Sequence, residues 1–152
     1  MREIIRKVPI PTAGVALGLA ALGNLLQPYT EIVHIVCGIL SLVLIAMLGA
    51  KIALFPDMIR DDLHNSIMAS VSATLFMTLM QLAGYLAPFA YIPAFALWSA
   101  AVVAHLALMG WFTARFISPF KLHEVFPTSF ICYVGLVVAS VTPPPFGLAA
   151  VG

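Results

Sequence analysis

The sequence predicts an all-α integral membrane helical bundle with five transmembrane helices, amino terminus inside and carboxy terminus outside. Three observations carry that prediction. The chain is 62% hydrophobic and 9% charged, with a mean hydropathy of +1.09, whereas soluble domains carry roughly a quarter charged residues; so little polar surface must be covered by lipid. Apolar runs occur at about 8–26, 32–54, 67–86, 91–116 and 126–141, each near the ~20 residues that cross a ~30 Å hydrocarbon core. All seven lysines and arginines (Arg2, Arg6, Lys7, Lys51, Arg60, Arg115 and Lys121) fall in alternate flanking segments. Cytoplasmic segments are the ones enriched in such residues, and random placement puts seven on one given side with odds of about 1 in 128. The runs are continuously apolar rather than alternating, which favours helices over a barrel. The chain reads as a single membrane domain over residues 1–152.

Span one, at 8–26, follows a basic start and opens with Pro9 and Pro11, which suit a helix entry because the missing N–H has no partner there anyway. The start resembles a secretory leader, but its apolar run is too long for one. Gly14-x-x-x-Gly18 leaves two bare backbone patches on one face, read either as a site of close helix approach or as the wall of an open path. A tight outer turn, Gln27 to Glu31, follows, with Thr30 placed to cap span two. That span ends at Lys51, whose stem reaches the interface while its ammonium stays in water. Phe55 to Asn65 is the strongly polar stretch, a solvated inner connector.

Span three is laced with hydroxyls. Ser70, Thr74, Thr78 and Gln81 repeat at helical spacing, and a polar stripe inside lipid must face protein or water. Tyr85, Pro88, Tyr91 and Pro93 form the second outer turn, with tyrosines at headgroup level. Span four ends at Trp111 and Arg115; span five opens with Pro127, Thr128 and Ser129 and is closed by Pro143, Pro144 and Pro145. Cys37 and Cys132 sit inside spans and read as free buried thiols rather than a disulfide. The net charge of +1 gives no nucleic-acid signal.

Four segments resemble a known family: VPIPTAGVALGLAALGNL (8–25), KIALFPDMIRDDLHNS (51–66), LWSAAVVAHLAL (97–108) and FPTSFICYVGLVVASVTPP (126–144). They are similar to the tellurite-resistance/C4-dicarboxylate transporter family, which includes the plant slow anion channels, and are collinear with its amino-terminal half. The resemblance implies half of a ten-helix anion channel fold: five hairpins, odd-numbered helices ringing a pore, homotrimers with a pore in each protomer, and passage of C4-dicarboxylates, small inorganic anions or tellurite-type oxyanions. The family's aromatic gate lies on its ninth helix, beyond this chain. Where the family often has a proline and an arginine after a histidine at the start of the third helix, His64 is followed by Asn65 and Ser66.

On this reading spans one, three and five are inner helices. None contains Asp or Glu, and a carboxylate in a narrow low-dielectric path would repel anions by several kcal/mol. Expected pore-lining residues are Gly14, Gly18, Asn24, Ser70, Thr74, Thr78, Gln81, Ser129 and Tyr133, with Arg6 and Lys7 raising anion concentration at the cytoplasmic mouth. Expected partners are the lipid bilayer of a bacterial inner membrane and an anionic small molecule, with no nucleic acid, metal or cofactor. The chain is expected to lack a second five-helix half and not to transport alone. Alternatives are a non-conducting partner subunit, a His-dependent membrane enzyme using His64 beside Asp57, Asp61 and Asp62, or a haem protein. His34, Cys37 and Glu31 could form half of a metal site, but His34 and His105 differ too much in depth to pair as haem ligands. His34 reads as an interface residue near Glu31, and His105 as hydrogen-bonded within the bundle.

Overall fold

A computed structural model describes residues 9–117 and 129–141. The described residues are helical or in turns, with no strand. The helices are α1 (Thr12–Leu26), α2 (Glu31–Leu54), α3 (Pro56–Leu63), α4 (Ser66–Leu86), α5 (Tyr91–Phe112), continued by a π-helical turn at Thr113–Ile117, and α6 (Ser129–Val141). Three stretches are long and apolar enough to cross a membrane: Glu31–Leu54, Ser66–Leu86 and Tyr91–Arg115. Thr12–Leu26 and Phe130–Val141 are apolar but shorter. The first span was expected from residue 8, but its helix starts at Thr12 after a turn. Pro9 and Pro11 carry no backbone N–H and serve as acceptors for Thr12 and Gly14 instead, at 3.0 and 2.9 Å.

Hydrogen bonds between helices fix their directions. Thr78 and Tyr85 of α4 reach the Ala13 and Ala20 carbonyls of α1, both over a separation of 65 residues, so the two helices run parallel. Between α1 and α2 the separation shrinks from 25 residues at Ser41–Ala16 to 11 at His34–Gly23, as an antiparallel hairpin requires. α4 and α5 form a second hairpin. Tyr133, near the start of α6, meets Thr113, just past the end of α5. Lys51, Arg60 and Arg115 therefore lie toward one end of the bundle, and the turns 27–30 and 87–90 at the other.

α4 is the central helix. It packs against α1, α2, α3, α5 and α6, and its most apolar window is 56% buried, against 28% for α2 and 17% for α5. The contacts between α1 and α6 are slight. The close approach expected of Gly14 and Gly18 is made instead by the adjoining face of Ala13, Ala16, Ala20 and Gly23, all buried. A methyl added to Gly14 or Gly18 would meet no other part of the described residues within 4 Å.

Other local expectations are corrected. Thr30 holds the N-cap position of α2, but its side chain makes no capping bond. Asn65 does cap α4, accepting from the Ile67 N–H at 3.0 Å. The polar connector is itself a short amphipathic helix, α3. Lys51, expected to reach water, is only 4% exposed, and its carbonyl receives the Phe55 N–H that closes α2.

Candidate functional site

The expected pore-lining residues fall into three groups. On α1, Gly14 and Gly18 share a face that meets no other part of the described chain within methyl reach. Val15 at 60% and Leu22 at 45% exposed continue it. This face is a smooth apolar strip that offers an ion no hydrogen bond.

The second group is the α4 stripe, which the structure turns inward. Ser70 and Thr78 are fully buried, and Thr74 nearly so. Their hydroxyls donate to backbone carbonyls of their own helix: Ser70 to Ile67 at 2.8 Å, Thr74 to Val71 at 2.7 Å and Thr78 to Thr74 at 2.6 Å. Thr78 also lies 3.3 Å from the Ala13 carbonyl of α1. A hydroxyl in an apolar surrounding takes the nearest acceptor, because an unmet donor there costs about 1–3 kcal/mol. Tyr133 is half-buried, and its hydroxyl pairs with that of Thr113 at 2.7 Å, while Thr113 donates to the Met109 carbonyl. Ser129 begins α6, with its side chain outside the described residues. Arg6 and Lys7 also lie outside them.

The third group is a polar cluster where α1, α2 and α4 meet near the outer turns. The Asn24 side-chain amide donates to the Gln81 side-chain carbonyl, joining α1 to α4. Tyr85 donates its hydroxyl to the Ala20 carbonyl at 2.8 Å. His34 lies in the first turn of α2, one turn after Glu31, and its ring stacks on Tyr85, with centroids 4.1 Å apart and planes 9° apart. Its Nδ1 lies 3.2 Å from the Gly23 carbonyl. The approach requires bare backbone, since a Cβ on Gly23 would collide with the Tyr85 hydroxyl and one on Gly38 with the Tyr85 ring. The sequence shows His34 and Tyr85 as separate interface residues; only the placement of two hairpins around one helix brings them together.

His105 has a different setting. It is 1% exposed on α5, donates from Nε2 to the Cys132 carbonyl of α6 at 2.9 Å, and occupies the notch left by Gly135. Its Nδ1 is buried without a hydrogen-bond partner among the described residues, and the Phe76 ring lies edge-on at 6.5 Å. Cys37 and Cys132 are free and buried. Among the described residues no three His, Cys, Asp or Glu come together as a metal site; His34, Cys37 and Glu31 do not assemble into one.

α1, α4 and α6 carry no Asp or Glu among the described residues, and the described cations Lys51, Arg60 and Arg115 lie toward one end of the bundle. The sequence matches the voltage-dependent anion channel family over residues 7–148. No curated protein and no solved structure matches it. The matched stretch takes in every described helix and agrees with the resemblance carried by the four motifs. The chain belongs to the voltage-dependent anion channel family and is a multi-pass membrane protein.

Proposed function

We propose that this chain is the amino-terminal, five-helix half of an anion pathway, crossing a bacterial inner membrane five times with its basic end in the cytosol. α1, α4 and α6 form part of the inner wall and α2 and α5 the outer layer. The observation that carries this reading is the parallel packing of α1 on α4 with an acid-free, partly open α1 face, in a chain of this family. The cargo is a small anion: a C4-dicarboxylate such as malate, or an inorganic or tellurite-type oxyanion. Gly14 and Gly18 border the path, and Asn24 and Gln81 supply amides near its outer end. Arg6 and Lys7 concentrate anions at its inner mouth. The completed form is a homotrimer.

The inner row α1–α4–α6 is an arc, since its two end helices scarcely meet. An arc does not enclose water, so the chain alone does not transport. Proteoliposomes holding only this polypeptide are expected to show no malate, chloride or tellurite flux above lipid alone. The same chain co-purified with a second five-helix half is expected to conduct at least one of the three. Flux through the chain alone would refute the arc argument, and no flux through the pair would refute the transport role.

A second reading is a partner subunit that conducts nothing. It is favoured by the hydroxyls of Ser70, Thr74, Thr78 and Tyr133, all of which are engaged within the protein. Co-purification with a partner whose flux is unchanged when the open α1 face is filled by Gly18→Leu would support it.

A further inference from the structure

The two hairpins leave a gap between them toward the basic end of the bundle. α2 and α5 both pack on α4, yet they make at most slight contact with each other. A cavity of about 180 Å³ lies there, walled by Leu48 and Ile52 of α2, Leu75 and Phe76 of α4 and Leu108 of α5. We propose that this cavity binds one acyl chain of a membrane phospholipid, a site that goes beyond the anion-pathway reading and stands independently of it.

The lining decides against a polar ligand. Among the described residues the wall exposes no polar atom. Ser72, which also borders the cavity, donates its hydroxyl to the Ala69 carbonyl at 2.6 Å and is engaged within its own helix. A buried water needs two to four polar partners, whereas an apolar cavity of ~150 Å³ stays dry and binds benzene. The cavity between the hairpins is of that size, and a short run of methylenes fills it.

Depth and opening decide which hydrocarbon. Ser72 and Phe76 lie six and ten residues beyond Ser66, the start of α4, which is about 9 and 15 Å along the axis. Leu48 lies six residues before the end of α2 and Leu108 four before the end of α5, about 9 and 6 Å. Half of a ~30 Å hydrocarbon core is about 15 Å, so the cavity sits at the depth of the acyl chains in the leaflet at the basic end. Leu48 is 2% exposed and belongs to its enclosed side, whereas Ile52 is 37% exposed. Ile52 adjoins the exposed face of α2, with Gly49 and Ala53 beside it, and in a membrane protein lipid covers that face. A lipid tail therefore enters sideways from a surface it already touches, without leaving the hydrocarbon layer.

Photoreactive lipid tests the site. The full chain is placed in nanodiscs of phosphatidylglycerol carrying a diazirine within one acyl chain, then irradiated, digested and mapped by mass spectrometry. Adducts are expected on Leu75 or Phe76 of the central helix as well as on Leu106, which is exposed on α5 at a similar depth. The same lipid with the diazirine on its headgroup is expected to give none on α4. Ser72→Leu puts a bulky side chain into the cavity, and Leu108→Phe narrows it from the facing helix. Each is expected to lose the α4 adducts and keep those on Leu106. Adducts on Leu106 with none on α4 in the unaltered chain overturn the site. So do undiminished α4 adducts in a folded filled variant, because lipid would then reach α4 by another route. If neither filled chain folds, the contrast between tail-labelled and headgroup-labelled lipid decides on the unaltered chain alone. Absent flux in the paired protein removes the transport role and leaves this site standing.

Discussion

At the scale of single residues, glycines separate what packs from what stands open. Gly135 holds the notch for His105: a Cβ there would overlap the imidazole and come within 2.9 Å of Met77 Cε. The ring is fully enclosed and tied to Cys132, so it cannot swing clear. Gly135→Ala is expected to lower stability by about 1–3 kcal/mol, read as a lowered melting temperature in detergent. Gly18→Ala meets no neighbour among the described residues and replaces a poor helix former, so it is expected to be neutral or stabilising by up to about 1 kcal/mol. Equal losses from the two changes would contradict the packing described. The Asn24–Gln81 bond is worth about 0.6–2 kcal/mol on the scale of bonds between membrane helices, and a double-mutant cycle with Asn24→Ala and Gln81→Ala measures it. Both residues were legible as polar side chains in apolar runs. Their pairing was not, because which helix face meets which depends on contacts distant in sequence. For the same reason His34 pointed to Glu31, its visible neighbour, rather than to Tyr85.

At the scale of elements, hydropathy located the helices and backbone chemistry set their ends. Each of the five apolar runs contains a described helix. The departures have physical causes: two prolines delay α1, and Thr113 begins a π-helical turn after α5, which periodicity does not encode. α3 was read as plain connector because its few apolar residues are set among charges. Its fold follows from Pro56 at the first helical position and from docking on α2 and α4. Capping was read at the wrong end of the α2–α4 region. Thr30 has the right residue type and extended backbone but no bond, whereas Asn65 has both geometry and bond. Asn65→Ala is therefore expected to cost about 1 kcal/mol, and Thr30→Ala close to nothing. Thermal unfolding of the two variants side by side distinguishes them, and a larger loss at Thr30 would reverse the assignment.

At the scale of the whole molecule, helix directions and membrane orientation are separate matters. The interhelix bonds place the turns 27–30 and 87–90 at one end and α3 at the other; the proposed orientation puts that second end in the cytosol, after the bias of cytoplasmic segments toward lysine and arginine. Single cysteines read this directly. Tyr29 is 84% and Phe89 88% exposed in the two outer turns, and Asp57 is exposed on α3. The native Cys37 and Cys132 are 7% and 0% exposed, so they give little background with a membrane-impermeant maleimide. In intact bacterial cells Tyr29→Cys and Phe89→Cys are expected to label, and Asp57→Cys only after the membrane is opened. Labelling of Asp57→Cys alone in intact cells would invert the orientation while keeping the bundle. Labelling of all three from outside would mean that α2 and α4 do not cross, and the anion path would lose the inner helix on which the others pack.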